Sequence, residues 1–330
     1  MSDAGNLPPA DGSLSLEVLT IGRVSVDLYP ADSGVPLAEV RSFHRFLGGS
    51  PVNVAVAAAR YGRRAAVITK VGTEGFGPYV RSALRGFGVD DRYVGTDPEL
   101  LTPIVFCELY PPDRFPIIFY RQPKAPDLEI GPGDVDLDAV REAGVFWTTG
   151  TGLCEEPSRS TTLAALEARG RRPHTVHDLD WRPMFWASEE EGRRWQLDAL
   201  GRATVAIGNR AEAALAVGEG DPEDQARRLL DLGIQLAFVK LGPDGTLVAW
   251  PDGRERVDPV PVEVVNGLGA GDAFGGAVCH GLLAGWEPVR IARFANAAGA
   301  HVAARLACAD AMPTEAEVLE LLTRSGQPVP

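Results

Sequence analysis

From residue 145 onward, short apolar runs take turns with helical stretches. "GVFWTTG" leads to a helix near 157–169, and "HTVHDLD" follows it; "TVAIGN" leads to a helix at 210–217, and a second at 223–232 precedes "QLAFVKLG". Runs apolar on both faces, each followed by a helix, bury those faces in a parallel sheet with helices on either side. "LEVLTIG" near the start is a further buried strand, closed by a glycine. From Asp272 on the chain reads as almost wholly helical. The expected fold class is therefore α/β, a three-layer α/β/α domain around a mostly parallel central sheet.

The first third breaks this rhythm. "RVSVDLYP", "VRSFHRFLGG", "PIVFCELY" (103–110) and "IIFYRQ" (117–122) alternate apolar with polar residues, the pattern of half-exposed strands. They do not belong inside a sheet covered on both faces. They predict a small separate sheet, a lid built from about residues 23–47 and 101–123, lying over the strand ends. Ligands of open α/β sheets bind at the carboxyl ends of the strands, and a lid there excludes water. Between the two insertions, "SPVNVAVAAARYG" is a helix with Ser50 as cap, Pro51 in the first turn and Gly62 as stop.

The formal net charge is −13, from 32 basic and 45 acidic residues. That argues against nucleic acid or an anionic membrane as a partner, since both need a basic face. No apolar run approaches the ~18 residues of a membrane span. Residues 1–15 are polar, acidic and proline-bearing, and read as a frayed tail before a single domain over 16–330. Cys107, Cys154, Cys279 and Cys308 lie far apart with no CxxC pair, as expected of free thiols in a reducing cytoplasm.

Residues 264–276, "VVNGLGAGDAFGG", carry the chemistry. Gly269, Ala270 and Gly271 present successive N–H groups at the start of a helix beginning near Gly271, where the dipole favours an anion. Asp272 stands in the first turn beside that hole and can take a proton from an attacking hydroxyl. A plain helix entry with a dipole-complementing acid is the competing reading. GxxxxGK[ST] is absent, and "GLGAGD" breaks GxGxxG at Asp272, which counts against a dehydrogenase. "HTVHDLD" gathers His174, His177, Asp178 and Asp180, but strand positions 174 and 177 point to opposite faces, which disfavours a metal site. Arg121 ends an apolar strand of the lid, and Arg182 follows a sheet strand at the carboxyl edge. Arginine matches a carboxylate bidentately, so the two suit an acidic sugar.

"GAGDAF" resembles the C-terminal signature of the ribokinase-like (PfkB) family of sugar kinases. Further matches follow in the family's order: "GGSPVNVAVAAARYG" (48–62), "GNRAE" (208–212) and "VKLGPDG" (239–245), so that the resemblance spans about residues 16–315. It implies an ATP- and Mg²⁺-dependent kinase with Asp272 as base and Gly269, Ala270 and Gly271 as anion hole. Asp27, Gly48, Gly49 and Asn53 would hold sugar hydroxyls. Lys240, Gly242, Gly245 and Asn296 would line the nucleotide site, while Asn209 and Glu212 would position Mg²⁺. For Gly245 alone a hairpin turn is the preferred reading. The family's usual Asp-Thr is Asn266-Gly267 here, which leaves activation by a monovalent cation in doubt. "IGRVSVDLYP", "TGTGLCEEPSR", "DLDWRPMFW" and "AMPT" are most similar to the branch acting on 5-dehydro-2-deoxygluconate in inositol catabolism. That substrate is a keto sugar acid, consistent with Arg121 and Arg182 as ligands, and with Arg23 facing the same group. The alternatives are a 2-keto-3-deoxygluconate kinase, then a ribokinase- or fructokinase-type neutral-sugar kinase, and most distantly a non-catalytic sugar-acid sensor. Exposed lid strands invite pairing into a homodimer.

Overall fold

The computed structural model of the chain describes residues 15–328; the N-terminal segment read as a tail lies, except for Ser15, outside them. The strands are β1 (Val18–Ile21), β2 (Ser25–Pro30), β3 (Phe43–Gly48), β4 (Ala65–Gly72), β5 (Val94–Asp97), β6 (Ile104–Cys107), β7 (Ile117–Tyr120), β8 (Val145–Thr149), β9 (Thr175–Asp178), β10 (Val205–Asn209), β11 (Leu236–Lys240), β12 (Thr246–Trp250) and β13 (Gly253–Val257). The helices are α1 (Ser50–Arg60), α2 (Phe76–Gly86), α3 (Leu137–Glu142), α4 (Ser158–Arg169), α5 (Glu189–Leu200), α6 (Arg210–Val217), α7 (Pro222–Asp231), α8 (Ala270–Leu283), α9 (Pro288–Ala303) and α10 (Glu315–Arg324).

Nine strands make the main sheet, in the order β13-β12-β11-β10-β9-β8-β1-β4-β5. It is parallel from β5 through β11, and β12 and β13 add an antiparallel edge. The chain runs outward from β1 through β4 to β5, then returns to β8 on the other side of β1. The carboxyl ends of β1 and β8 therefore flank a topological switch point, where α/β sheets bind ligands. All five residues of β8 are buried, as a strand covered on both faces requires. One core unites Trp147 and Phe238 with α1, α8 and α9; a second, around Phe146 and Leu166, lies under α4 and α5.

The alternating segments form their own four-stranded sheet, β3-β2-β6-β7. Its pairs are antiparallel except β2 with β6. Strands β6 and β7 alternate as expected. Strand β2 corrects the expectation of a half-exposed strand, because nearly every residue is buried. It lies inside the small sheet, Val26 joins the main core, and Tyr29 packs with Cys107, Leu109 and Cys308. Helix α1 begins one residue earlier than expected: Gly49 takes the cap position and Ser50, the expected cap, is the first helical residue. Gly49 has φ +108°, and a Cβ on it would fall 2.4 Å from the Arg23 carbonyl oxygen. That close approach demands glycine.

Candidate active site

Because the central strands are parallel, their carboxyl ends deliver side chains to one edge. Arg23 follows β1, Thr149 ends β8, and Asp178 ends β9 with Asp180 and Arg182 beyond it. Asn209 ends β10, with Glu212 in the first turn of α6, and Lys240 ends β11. The N-termini of α1 and α8 meet above them: Asn53 Nδ2 donates to Asp272 Oδ2 at 2.7 Å. Burial raises the Asp272 pKa, and the Asn53 hydrogen bond and Arg23 oppose that rise. A half-buried carboxylate that is oriented by a donor and has its pKa raised has the character of a general base.

The turn before Asp272 is fixed by its neighbours. Gly269 holds φ +81° as the residue preceding α8, and a Cβ there would lie 2.7 Å from Cys308 Sγ. Asn266 is fully buried. Its Nδ2 donates to the Leu306 carbonyl (2.6 Å), and its Oδ1 accepts from the Leu268 N–H (3.0 Å). A neutral amide thus ties the glycine turn to the 303–308 segment.

On the side of the small sheet, Asp27 accepts from Ser25 Oγ (2.7 Å) and from the Tyr29 hydroxyl (3.4 Å). Burial pushes its pKa up to about 6, against the Ser25 bond and Arg23. Gly48 leaves that carboxylate its space, since a Cβ would overlap it at 2.1 Å. Beside it, Arg182 Nη2 pairs with Asp180 Oδ1 (3.1 Å), and Thr151 Oγ1 donates to Asp180 Oδ2 (3.1 Å). Burial pushes the Asp180 pKa up, but Arg182 and Arg23 outweigh it and hold Asp180 below the ordinary range. The Nε groups of Arg23 and Arg182 are both buried with no partner among the described residues. Arg121 differs: its fork meets Asp127 at 2.8 and 3.2 Å, and both side chains are buried. It also lies over the Phe185 ring, 5.1 Å from its centroid. The structure thus removes Arg121 from the set of free arginines, because a carboxylate of the chain itself already fills its fork.

On the opposite side, Lys240 and Gly242 line an open cavity of about 390 Å³ with Asn209, Arg210, Asp244 and Arg256. Asn209 and Glu212 form a reciprocal cap: Asn209 Oδ1 accepts from the Glu212 N–H (2.9 Å), and Glu212 Oε2 from the Asn209 N–H (2.7 Å). Glu212 is buried rather than exposed, and its Oε1 accepts from the Trp181 N–H (3.3 Å). Asn296 has its amide fully engaged, by Thr246 Oγ1 at 2.7 Å and by the carbonyls of Val257 and Asp258 at 3.2 and 3.0 Å. It braces the β12–β13 hairpin, as does Gly245, whose φ is +86° and whose Cβ would strike the Val257 carbonyl.

Sequence reasoning did not single out Asp178 as a carboxylate of the site. Burial drives its pKa well up, Lys240 draws it down, and Glu212 and Asp180 raise it further. Asp178, Asp180, Glu212 and Asp272 together give the edge a surplus of oxygen donors, which fits a hard divalent cation. Among the described residues no three His, Cys, Asp or Glu side chains could hold an ion by themselves. His177 is not available: its Nδ1 meets Thr148 Oγ1 (2.9 Å) and its Nε2 meets Gln196 Oε1 (2.7 Å). The signal for the acids was present in "HDLD", two carboxylates closing a buried strand at the carboxyl edge.

Residues 15–315 match the model of the pfkB family of carbohydrate kinases. A relative from Clostridium perfringens named 5-dehydro-2-deoxygluconokinase is 31% identical over 325 residues, covering 96% of each chain. A protein of the same name from Geobacillus thermodenitrificans is 32% identical over 316 residues, covering 94% of each. Among solved structures, a PfkB protein from Polaromonas sp. JS666 aligns with a TM-score of 0.81 at 28% identity, covering 92% of this chain and 99% of that one. No described helix is long and apolar enough to cross a membrane.

Proposed function

The chain belongs to the pfkB family of carbohydrate kinases, and on that premise we propose that it phosphorylates a primary hydroxyl of a keto sugar acid, 5-dehydro-2-deoxy-D-gluconate. The observation that carries the acidic substrate is the pair of buried, unpartnered Nε groups on Arg23 and Arg182 beside Asp272. A buried donor without an acceptor costs about 1–3 kcal/mol, and a substrate carboxylate would relieve it. The names of the Clostridium and Geobacillus relatives support the same substrate.

In this reading Asp272 takes the proton of the attacking hydroxyl, and Asn53 keeps the carboxylate aimed. The N–H groups of Gly269, Ala270 and Gly271 stabilise the charge that develops beside it. Asp27, Asn53 and the Gly48–Gly49 backbone hold sugar hydroxyls, and Arg23 and Arg182 hold the acid group. Lys240 and Gly242 face the nucleotide, with Gly245 and Asn296 shaping the wall behind them. Glu212, with Asn209 capping its turn, would hold Mg²⁺ as one of few protein ligands, the usual manner for that ion. When bound, Mg·ATP supplies the phosphoryl group and its counter-charge. The Asn266 amide makes the cross-link that an aspartate and a monovalent cation would otherwise share, so turnover should depend weakly on K⁺.

Residues 16–330 act as one kinase domain, with segments 23–47 and 101–123 as the lid that keeps water from competing. Ile118 and Tyr120 are exposed on the lid's edge strand, which suits homodimer pairing there. The acidic chain works in the cytoplasm without nucleic acid or membrane. The test is an ATP-consumption assay on a panel of acidic and neutral sugars. Fastest turnover with 5-dehydro-2-deoxygluconate is expected. Preference for 2-keto-3-deoxygluconate would move the substrate, preference for ribose or fructose would refute the acidic site, and no turnover on any sugar would favour a sensor.

A further inference from the structure

Lys240 closes β11 with its ammonium against the first turn of α8. A Cβ on Gly271 would fall 3.2 Å from Lys240 Nζ, a tight contact, so the ammonium lies close against the backbone of that turn. A helix N-terminus and an ammonium are both positive, and placing them side by side is unfavourable until an anion comes between. Burial disfavours the charged lysine, but Asp178, Glu212, Asp272 and Asp180 outweigh it and keep the proton on. Each of these carboxylates makes its close contacts elsewhere: Asp272 with Asn53, Asp180 with Arg182, Glu212 with Asn209, and Asp178 with the Asp180 N–H. The ammonium is thus held charged by its surroundings, while its other side opens on the cavity shared with Asn209 and Gly242. It stands at the seam between the glycine turn and that cavity.

We infer that Lys240 is a catalytic residue, hydrogen-bonding the phosphoryl group in transit and the oxygen it leaves, rather than a lining residue of the nucleotide pocket. This rests on the phosphoryl-transfer reading above. The bond from the substrate oxygen to phosphorus forms as the bond from phosphorus to the β-phosphate oxygen breaks. The hydroxyl proton goes to Asp272, and the electron pair stays on ADP. Lys240 keeps its own proton and donates a hydrogen bond to the oxygen that gains charge. A point-like ammonium suits that task.

The test compares wild type with Lys240→Met and Lys240→Arg. Loss of one donor to a developing charge lowers turnover by about 10²–10³-fold. In Lys240→Met, kcat should fall by that factor while the affinity for ADP stays near wild type. The affinity for ADP with aluminium fluoride and the sugar acid, a mimic of the group in transit, should fall in parallel with kcat. Lys240→Arg keeps the charge and should recover part of both, which also serves if the methionine variant is poorly folded. ADP affinity falling as far as turnover would make Lys240 a nucleotide anchor and overturn the inference, as would unchanged turnover. Wild type binding the mimic no tighter than ADP would sink the phosphoryl-transfer reading itself.

Discussion

Replacing Asn53 by alanine removes one hydrogen bond from Asp272, and the consequence can be worked through. The bond is 2.7 Å long, partly buried, and made to a carboxylate. Hydrogen bonds to charged groups contribute about 1.5–3 kcal/mol. At 1.36 kcal/mol per pKa unit, its loss should move the acidic limb of the activity profile upward by about one to two pH units. The sign follows from the chemistry: the bond stabilises the ionised form, its removal raises the pKa, and a base works only when deprotonated. The assay is kcat and kcat/KM against pH from about 5 to 9, a range that also spans Asp27, pushed up to about 6 by burial. Asn53→Ala should lose most activity at the acidic end and recover much of kcat at pH 9. A missing sugar contact would raise KM at every pH and leave the limb in place. A uniform loss, with an unmoved limb in kcat, would refute the link between Asn53 and the base.

The two arginines expected to act alike should part company. Arg121→Ala leaves Asp127 buried without its partner and should destabilise the protein by about 3–5 kcal/mol in denaturant unfolding. Arg182→Ala also takes the partner from a buried aspartate, Asp180, but Thr151 still donates to that carboxylate and Arg182 is the more exposed arginine, so it should cost less stability than Arg121→Ala. It should weaken acidic sugars about 10- to 100-fold, with little effect on neutral ones, and equal losses on both would remove the carboxylate role. Turnover in K⁺ and in a bulky organic cation should agree within about threefold, a difference of under 1 kcal/mol. A strong K⁺ requirement would show that the Asn266 amide does not order the turn by itself.

The α/β architecture was legible because buried parallel strands leave uninterrupted apolar runs, and helices 210–217 and 158–169 fell where their periodicity placed them. The small sheet was legible for the complementary reason, its alternation. Strand β2 was misjudged because its second face is covered by Cys308, more than 270 residues away, and no local pattern reports that. The glycine turn with Asp272 could be read directly, since helix-start chemistry is local. Arg121 and Asp127 could not be paired in advance, because the pairing depends on how the chain turns after β7. Asp178 and Asp180 were visible as acids, but weighing them with the histidines as one metal cluster hid their role as a carboxylate group facing Lys240.

Asp272→Asn is the most direct trial of the account, since it keeps the side chain's shape and removes the base. A general base contributes about 10²–10⁴-fold to rate. Single-turnover phosphorylation of the sugar acid should slow by that range, while calorimetric affinities for ADP and the sugar acid stay within a few-fold of wild type. Transfer at near wild-type rate, or loss of both affinities in step with the rate, would contradict the assignment of Asp272 as the base in a turn that also stabilises the transferring group.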